Sequence, residues 1–212
     1  TMLMLGMLTL ASSIQPVKAE PTTWTVDDDG PADFHKIQEA VNAAGSGDTI
    51  YVRNGTYYEH ITITKDNLTI LGEARQSTVI DGGGSGTVIC LVWAKNINIS
   101  RFTVQNSGKE WFMGAATPSS GICLFLSSDS TVQQNDVINN GWGIFLRESW
   151  RNVLIDNNIT SNLYGASSYY LGRDNVFRNN SLYNNTYNFG IFGYSPVSYT
   201  HLQAHETGRN LV

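Results

Sequence analysis

A repeat of 22 residues restricts the fold of this chain more than any other feature. Glycines stand at the same point of three consecutive units: Gly121, Gly143 and Gly165. Two sets of asparagines keep the same spacing of 22 and then about 23 residues: Asn135, Asn157 and Asn180, and Asn140, Asn162 and Asn185. A unit of this length holds about three short strands and cannot bury a core alone, so the units must stack on one another.

Short apolar runs separated by Asn or Gly turns, with no helical crossovers between them, favour an all-β fold, a right-handed single-stranded parallel β-helix. Residues 49–194 have room for about six coils, a stack on the order of 30 Å high at ~4.8 Å per coil. We expect Ile144, Leu146, Ile155 and Ile159 to point inward. Asparagines at matching turns are expected to hydrogen-bond from coil to coil through their amides.

One helix is predicted before the repeats. An apolar stripe at helical spacing follows Asp33, which can serve as an N-cap, and ends before Gly45. We expect this helix over residues 34–44, where it would cap the open edge of the first coil.

The N-terminal segment is predicted to be a signal peptide. Residues 2–14 are nearly all apolar, and Val17-Lys18-Ala19 forms a small-x-small cleavage site before Glu20. The apolar run of about 13 residues is shorter than the ~20 that a spanning helix needs. We therefore expect residues 1–19 to be a signal peptide, shortened at its start. The protein would be secreted or on the cell surface, with no membrane span in the mature chain.

The last segment, residues 195–212, does not follow the repeat. Its sequence, SPVSYTHLQAHETGRNLV, has neither the asparagine spacing nor the alternation of a strand. It is similar to translated adapter sequence that replaces the true C-terminus in some gene models. We expect residues 20–194 to form the β-helix domain and residues 195–212 to be a foreign tail that adds nothing to folding.

The composition argues against nucleic-acid binding. Charged residues make up 15% of the chain, the net charge is -5, and there is no basic stripe. The two cysteines, Cys90 and Cys123, are 33 residues apart, which is close to the spacing of two neighbouring units. They can lie side by side within reach of a disulfide, or they can be two small buried thiols, and the second alternative is favoured.

The sequence predicts no catalytic residue, metal site or cofactor. Hydrolysis of a glycoside needs two carboxylates on one face, and no two acids align in neighbouring repeats. The cluster of residues 27–29, all aspartates, is interpreted as a solvated loop. His35 and His60 are isolated in the sequence, so copper or zinc binding has no support.

Aromatic residues are the one surplus that indicates a ligand. Several of them lie in an insertion at residues 107–120 and around a later turn, where outward rings can stack on sugars. We predict a ligand-binding surface formed by six residues: Trp111, Phe112, Trp142, Arg147, Glu148 and Trp150. The alternative is that such rings only stack on one another along the coils.

The chain resembles the parallel β-helix repeat family, the pectin-lyase-like superfamily, and in particular the NosD-type surface repeat proteins that are common in archaea. The resemblance spans residues 24–194 and rests on the segments 34–41, 47–52 and 55–59 and on the Asn/Gly repeats. It implies the β-helix fold, whereas functions within the family range from lyases to metal-delivery proteins. The opening is also similar to pectin methylesterases, but the catalytic motifs of those enzymes are absent, so we reject the esterase.

The expected function is that of an exported, non-catalytic binding or structural module whose partner is a polysaccharide or a cell-surface glycan. Two alternatives remain. One is a polysaccharide lyase or hydrolase whose catalytic coils lie outside this sequence, and the other is a NosD-type metal-delivery protein.

Overall fold

The computed structural model describes residues 20–110, 117–170, 172–192, 197–204 and 209–211. Twenty strands and one short helix form a solenoid of about seven turns, and the paired strands of the solenoid are parallel. The predicted signal peptide, residues 1–19, lies outside the described residues.

Each turn of the solenoid contributes one strand to each of three faces. The first face consists of β1 (Thr23–Val26), β2 (Thr49–Val52), β5 (Thr69–Gly72), β8 (Asn98–Ser100), β11 (Thr131–Gln133), β14 (Val153–Ile155) and the start of β17 (Asn175–Tyr183). The second consists of β3 (Gly55–Tyr57), β6 (Thr78–Asp81), β9 (Thr103–Gln105), β12 (Asp136–Ile138), β15 (Asn158–Thr160) and the end of β17. The third consists of β4 (Ile61–Ile63), β7 (Ile89–Val92), β10 (Ser120–Phe125), β13 (Trp142–Arg147), β16 (Tyr164–Tyr169), β18 (Tyr187–Phe192) and β20 (Arg209–Leu211).

The backbone continues beyond the predicted end of the repeats. Strand β19 (Val197–Ala204) pairs with β17, and β20 pairs with β18, which makes a further turn on the stack. The expectation that residues 195–212 add nothing to stability stays a prediction.

Asparagine side chains hold the turns together inside the stack. Asn135 donates from Nδ2 to Oδ1 of Asn157 at 3.2 Å, and Asn157 donates in the same way to Asn180 at 2.9 Å. A second ladder joins Asn140, Asn162 and Asn185. These asparagines are almost fully buried. The predicted amide ladders are therefore confirmed.

Three of the four predicted inward side chains are buried, and one prediction is wrong. Ile144, Leu146 and Ile159 have no exposed surface. Ile155 instead faces outward and is half-buried, because the alternation in β14 turns its neighbour Leu154 inward.

The helix is shorter than predicted. Helix α1 spans Ile37–Ala43, and Asp33 does not cap it, because its carboxylate accepts hydrogen bonds from the backbone N–H and the hydroxyl of Thr25. The carboxylate of Glu59, which follows β3, accepts the N–H groups of Ile37 and Gln38 at 2.8 and 3.0 Å. The helix contacts β1, β2 and β4, so it does cover the N-terminal end of the stack.

Asp48 ties the first strand to the end of this helix. Its carboxylate accepts hydrogen bonds from the N–H groups of Thr22 and Gly45 and from Nε1 of Trp24, all at 2.8–2.9 Å. These bonds hold the pKa of Asp48 below its usual value, although burial opposes them.

Candidate functional site

One corner of the solenoid carries a column of four residues that directly follow the strands of the third face. Trp93, Leu126, Glu148 and Tyr170 occupy this column, and their φ angles lie between 46° and 57°, in the left-handed region. The N–H of each of the first three bonds to a carbonyl of the next turn, for example Trp93 N to Phe125 O at 3.1 Å. Successive side chains in the column are therefore about 4.8 Å apart along the stack.

Two rings in this column are open to solvent. Trp93 is 65% exposed and Tyr170 is 51% exposed. With Tyr58 they are the large hydrophobic side chains that stand out as exposed among the described residues. Isolated exposed rings are common, but two on one straight column form a continuous apolar edge, which is typical of a contact surface.

Arg147 lies beside the column, at the end of β13. Its guanidinium carbon is 5.8 Å from the ring centre of Phe125 and 5.9 Å from that of Tyr169, so the cation lies between two rings from neighbouring turns. Its Nε is 3.2 Å from Oε1 of Glu148. The ring contacts and the ion pair hold both charged groups in place, with part of each exposed.

Trp150 lies on the adjacent column of the same corner. Its backbone forms bridges to Ser128 in the turn below and to Arg173 in the turn above, and its side chain is half-buried. The aromatic edge is the name we use for Trp93, Arg147, Glu148, Trp150 and Tyr170 together, which includes three of the six predicted ligand-binding residues.

Trp142 lies on the other side of the third face and is only 7% exposed. Its ring stacks on Tyr164 with a centroid separation of 4.7 Å and an interplanar angle of 10°, and Tyr164 stacks in turn on Tyr187 at 4.9 Å. Its N–H donates to the carbonyl of Ser119, so the end of the insertion does lie next to it. Trp111 and Phe112 lie outside the described residues.

Cys90 and Cys123 face each other on the outer side of the third face. They are aligned in the pairing of β7 with β10, and their thiols are free and hydrogen-bond to each other. This bond lowers the pKa of Cys90, and the same bond together with burial raises the pKa of Cys123. Cys123 packs in a small cluster with Trp142 and Phe145.

The described residues offer one acidic cluster, Asp27, Asp28 and Asp29, whose carboxylate oxygens lie within 4.8 Å of one another. Asp27 accepts hydrogen bonds from the N–H groups of Asp29 and Gly30 and pairs with Arg53 at 3.4 Å. Burial raises the pKa of Asp27, but these contacts outweigh it and the pKa is lowered. The cluster thus satisfies its charge largely within its own turn.

A shallow groove of about 370 Å³ lies at the corner between the first and second faces. Arg75, Arg101, Gln134 and Asp156 line it, and none of these residues is aromatic. It is separate from the aromatic edge, and its charged groups are of both signs.

Comparison with known proteins gives matches to two kinds of β-helix protein. The model of the NosD family, described as periplasmic copper-binding protein, matches residues 112–207. Pectinesterase A of Dickeya chrysanthemi is 30% identical over 119 residues, which cover 47% of this chain and 32% of the enzyme. The chain therefore spans about a third of the length of this curated relative.

Solved structures share the fold at low sequence identity. The catalytic domain of a GH87 alpha-1,3-glucanase in complex with nigerose has a TM-score of 0.70 at 19% identity, covering 90% of this chain and 36% of that one. The protein ORF18 of Geobacillus virus E2 has a TM-score of 0.63 at 18% identity, covering 82% and 36%. Together with the family matches, the solenoid shows that the chain is a right-handed parallel β-helix of the pectin-lyase-like superfamily, as the sequence predicted.

The description of the NosD family names copper, so the donor groups of this chain were compared with what that metal prefers. The acidic cluster at residues 27–29 offers hard oxygen ligands, which suit calcium or magnesium better. His35 and His60 each use Nδ1 for a contact with a backbone carbonyl, to Asp27 and Thr87. The aligned thiols of Cys90 and Cys123 are soft donors that fit copper(I).

Sequence reasoning missed Trp93 and did not favour Tyr170. Trp93 stands in the same position of its turn as Leu126 does in the next, 33 residues later. The insertion before β10 breaks the 22-residue spacing, and so conceals this equivalence. The spacing of the two cysteines was the signal that would have revealed it, because it has the same length.

Proposed function

We propose that this chain is an exported, non-catalytic module that binds a polysaccharide along the aromatic edge. The observation that carries the proposal is the pair of exposed rings, Trp93 and Tyr170, on one column of a rigid stack. Three turns separate them, a distance of about 14 Å along the stack. That length suits an extended chain better than a small compact molecule.

The chemistry of the aromatic edge suits carbohydrate. The flat apolar rings of Trp93 and Tyr170 can cover the apolar faces of sugar rings, and the partly exposed groups of Arg147 and Glu148 can exchange hydrogen bonds with hydroxyls. The names of the relatives agree with this ligand class, because pectinesterases and an alpha-1,3-glucanase act on polysaccharides.

Binding without catalysis fits the distribution of carboxylates. The strands of the third face that flank the aromatic edge contain no aspartate or glutamate in any of the described turns. Glu148 supplies one carboxylate, and it is paired with Arg147. Glycoside hydrolysis uses two carboxylates on opposite sides of the bond, so this arrangement favours holding a glycan over cleaving it.

The remaining predicted residues take supporting parts in the proposal. Trp150 widens the aromatic edge on its adjacent column, and Trp142 stiffens the third face through its stack with Tyr164. Trp111 and Phe112, carried by the insertion that ends next to Trp142, are proposed to extend the surface across the third face.

The test compares polysaccharide binding by the wild type with that by Trp93→Ala and Tyr170→Ala, using a glycan array followed by titration with the best ligand. Loss of one ring that covers about 50 Å² of sugar is expected to weaken binding by about 1.3 kcal/mol, close to tenfold in Kd. Tyr58→Ala is the matched control, because Tyr58 is 76% exposed but follows β3, away from the aromatic edge.

Two outcomes would overturn the proposal. Binding that is unchanged in both ring variants would exclude the aromatic edge as the contact surface. Release of reducing ends or unsaturated products from the bound polysaccharide would exclude a non-catalytic role, and would favour the enzyme that the similarity to pectinesterase makes the second candidate.

A further inference from the structure

The two cysteines occupy neighbouring strands at the same height of the third face. Cys90 in β7 is the register partner of Cys123 in β10, both side chains lie on the outer side of the sheet, and their thiols hydrogen-bond to each other. The pair is independent of the aromatic edge, which begins three residues later at Trp93.

The surroundings of the pair are largely apolar but not sealed. Cys123 has no exposed surface and packs against Trp142 and Phe145, whereas Cys90 is partly exposed at the margin of this cluster. A small ion can therefore reach the sulfur of Cys90 from solvent. Once bound between the two sulfurs, it would be shielded from water by aromatic rings.

The spacing of the strands suits a bridging metal ion better than a disulfide. Aligned positions on adjacent strands are ~4.8 Å apart. Two metal–sulfur bonds of ~2.3 Å in a line span about 4.6 Å, so an ion would fit with the strands where they are. A disulfide brings the Cβ atoms to a mean separation of ~3.8 Å, which would require the two strands to move together by about 1 Å.

We propose that Cys90 and Cys123 form a two-coordinate site for copper(I). Binding replaces two S–H bonds by two Cu–S bonds and releases two protons to solvent, and the copper remains in the +1 state throughout. Thiolates are the soft ligands that select copper(I). The product carries one negative charge, and Arg147, whose guanidinium acts electrostatically on Cys123, compensates it.

The experiment uses the full chain, reduced and kept free of oxygen, and titrates it with copper(I) against the chromophoric chelator bicinchoninate. One copper(I) per chain is expected, with two sulfur neighbours at the copper by X-ray absorption. Cys90→Ser, at the partly exposed position, is expected to lower the affinity at least 100-fold and to keep the strand-rich circular dichroism spectrum of the wild type.

Controls separate this site from the polysaccharide surface and from the other donors. Trp93→Ala is expected to bind copper(I) like the wild type, while Cys90→Ser is expected to bind polysaccharide like the wild type, so either proposal can fail alone. Asp27→Asn should leave copper(I) binding unchanged. Unchanged copper(I) binding in the double variant Cys90→Ser/Cys123→Ser, a stoichiometry of one ion per two chains, or no binding by the reduced wild type would overturn the proposal. So would a disulfide between the two cysteines that resists reductant in the purified protein.

Discussion

Asn157, in the middle of the first asparagine ladder, offers the sharpest test of how the turns are held together. Its side chain is 1% exposed and makes four hydrogen bonds. Oδ1 accepts the N–H and the Nδ2 of Asn135 at 3.1 and 3.2 Å, and Nδ2 donates to Val132 O at 2.8 Å and to Asn180 Oδ1 at 2.9 Å. Replacing it with alanine removes all four bonds at once.

The expected loss of stability follows from the groups that are left without partners. The N–H of Asn135 and the carbonyl of Val132 lose the bonds from Asn157, and each buried backbone group without a partner costs about 1–3 kcal/mol. The other two partners keep a bond each, since Asn135 Nδ2 also donates to Ile99 O, and Asn180 Oδ1 also accepts the N–H of Asn157. We expect Asn157→Ala to lower the free energy of unfolding by about 4 kcal/mol.

Equilibrium unfolding in urea measures this difference. Asn158→Ala is the matched control, because the side chain of Asn158 points outward from β15 and is half-buried, so its loss should change stability by only about 0.5 kcal/mol. A loss below about 1 kcal/mol for Asn157→Ala, or equal losses for the two variants, would show that the ladder is not what holds neighbouring turns together.

Four further outcomes are expected. Ile144→Asp should unfold part or all of the solenoid in thermal melts monitored by circular dichroism, because an unpaired carboxylate would be buried, and a wild-type melt would contradict the inward register. Trp93→Asn should melt at the same or a higher temperature while losing polysaccharide affinity, since asparagine tolerates the left-handed φ of 57° better than tryptophan. Deletion of residues 195–212 should leave the melting temperature unchanged, and a marked fall would make them a genuine last turn. The stabilisation from Asp48 should be present above the ordinary pKa of 3.8 and be lost as the pH falls through its lowered folded-state value, and Asp48→Asn should remove this acid dependence in denaturation curves measured against pH.

The repeat predicted the features of the fold that depend on equal spacing along the chain. Residues one period apart occupy the same position in adjacent turns, so the ladder of Asn135, Asn157 and Asn180 could be located from the spacing alone. The direction of a side chain at a corner could not be found in this way. Ile155 and Leu154 are both apolar, and the left-handed turn that begins at Asp156 decides which of them faces the core.

The candidate site was less predictable, because exposure depends on neighbours in three dimensions. Trp142 and Tyr170 are both aromatic and both follow a turn, yet the stack with Tyr164 covers the first and leaves the second open. The N-terminal boundary of the helix was overestimated for a related reason. Asp33 has the residue type of an N-cap, but its hydrogen bonds go to Thr25 on a neighbouring strand, and Glu59 from a distant position bonds to the helix instead.

The asparagine ladders also make the length of the protein adjustable. Each ladder residue bonds only to the turns directly below and above it, so an additional complete turn with its asparagine in register would meet the same partners on both sides. Insertion of one 22-residue unit would then lengthen the corner columns by about 4.8 Å without repacking the layers elsewhere. A gene that duplicates or loses single units can in this way vary the reach of its surface while the interior chemistry stays constant.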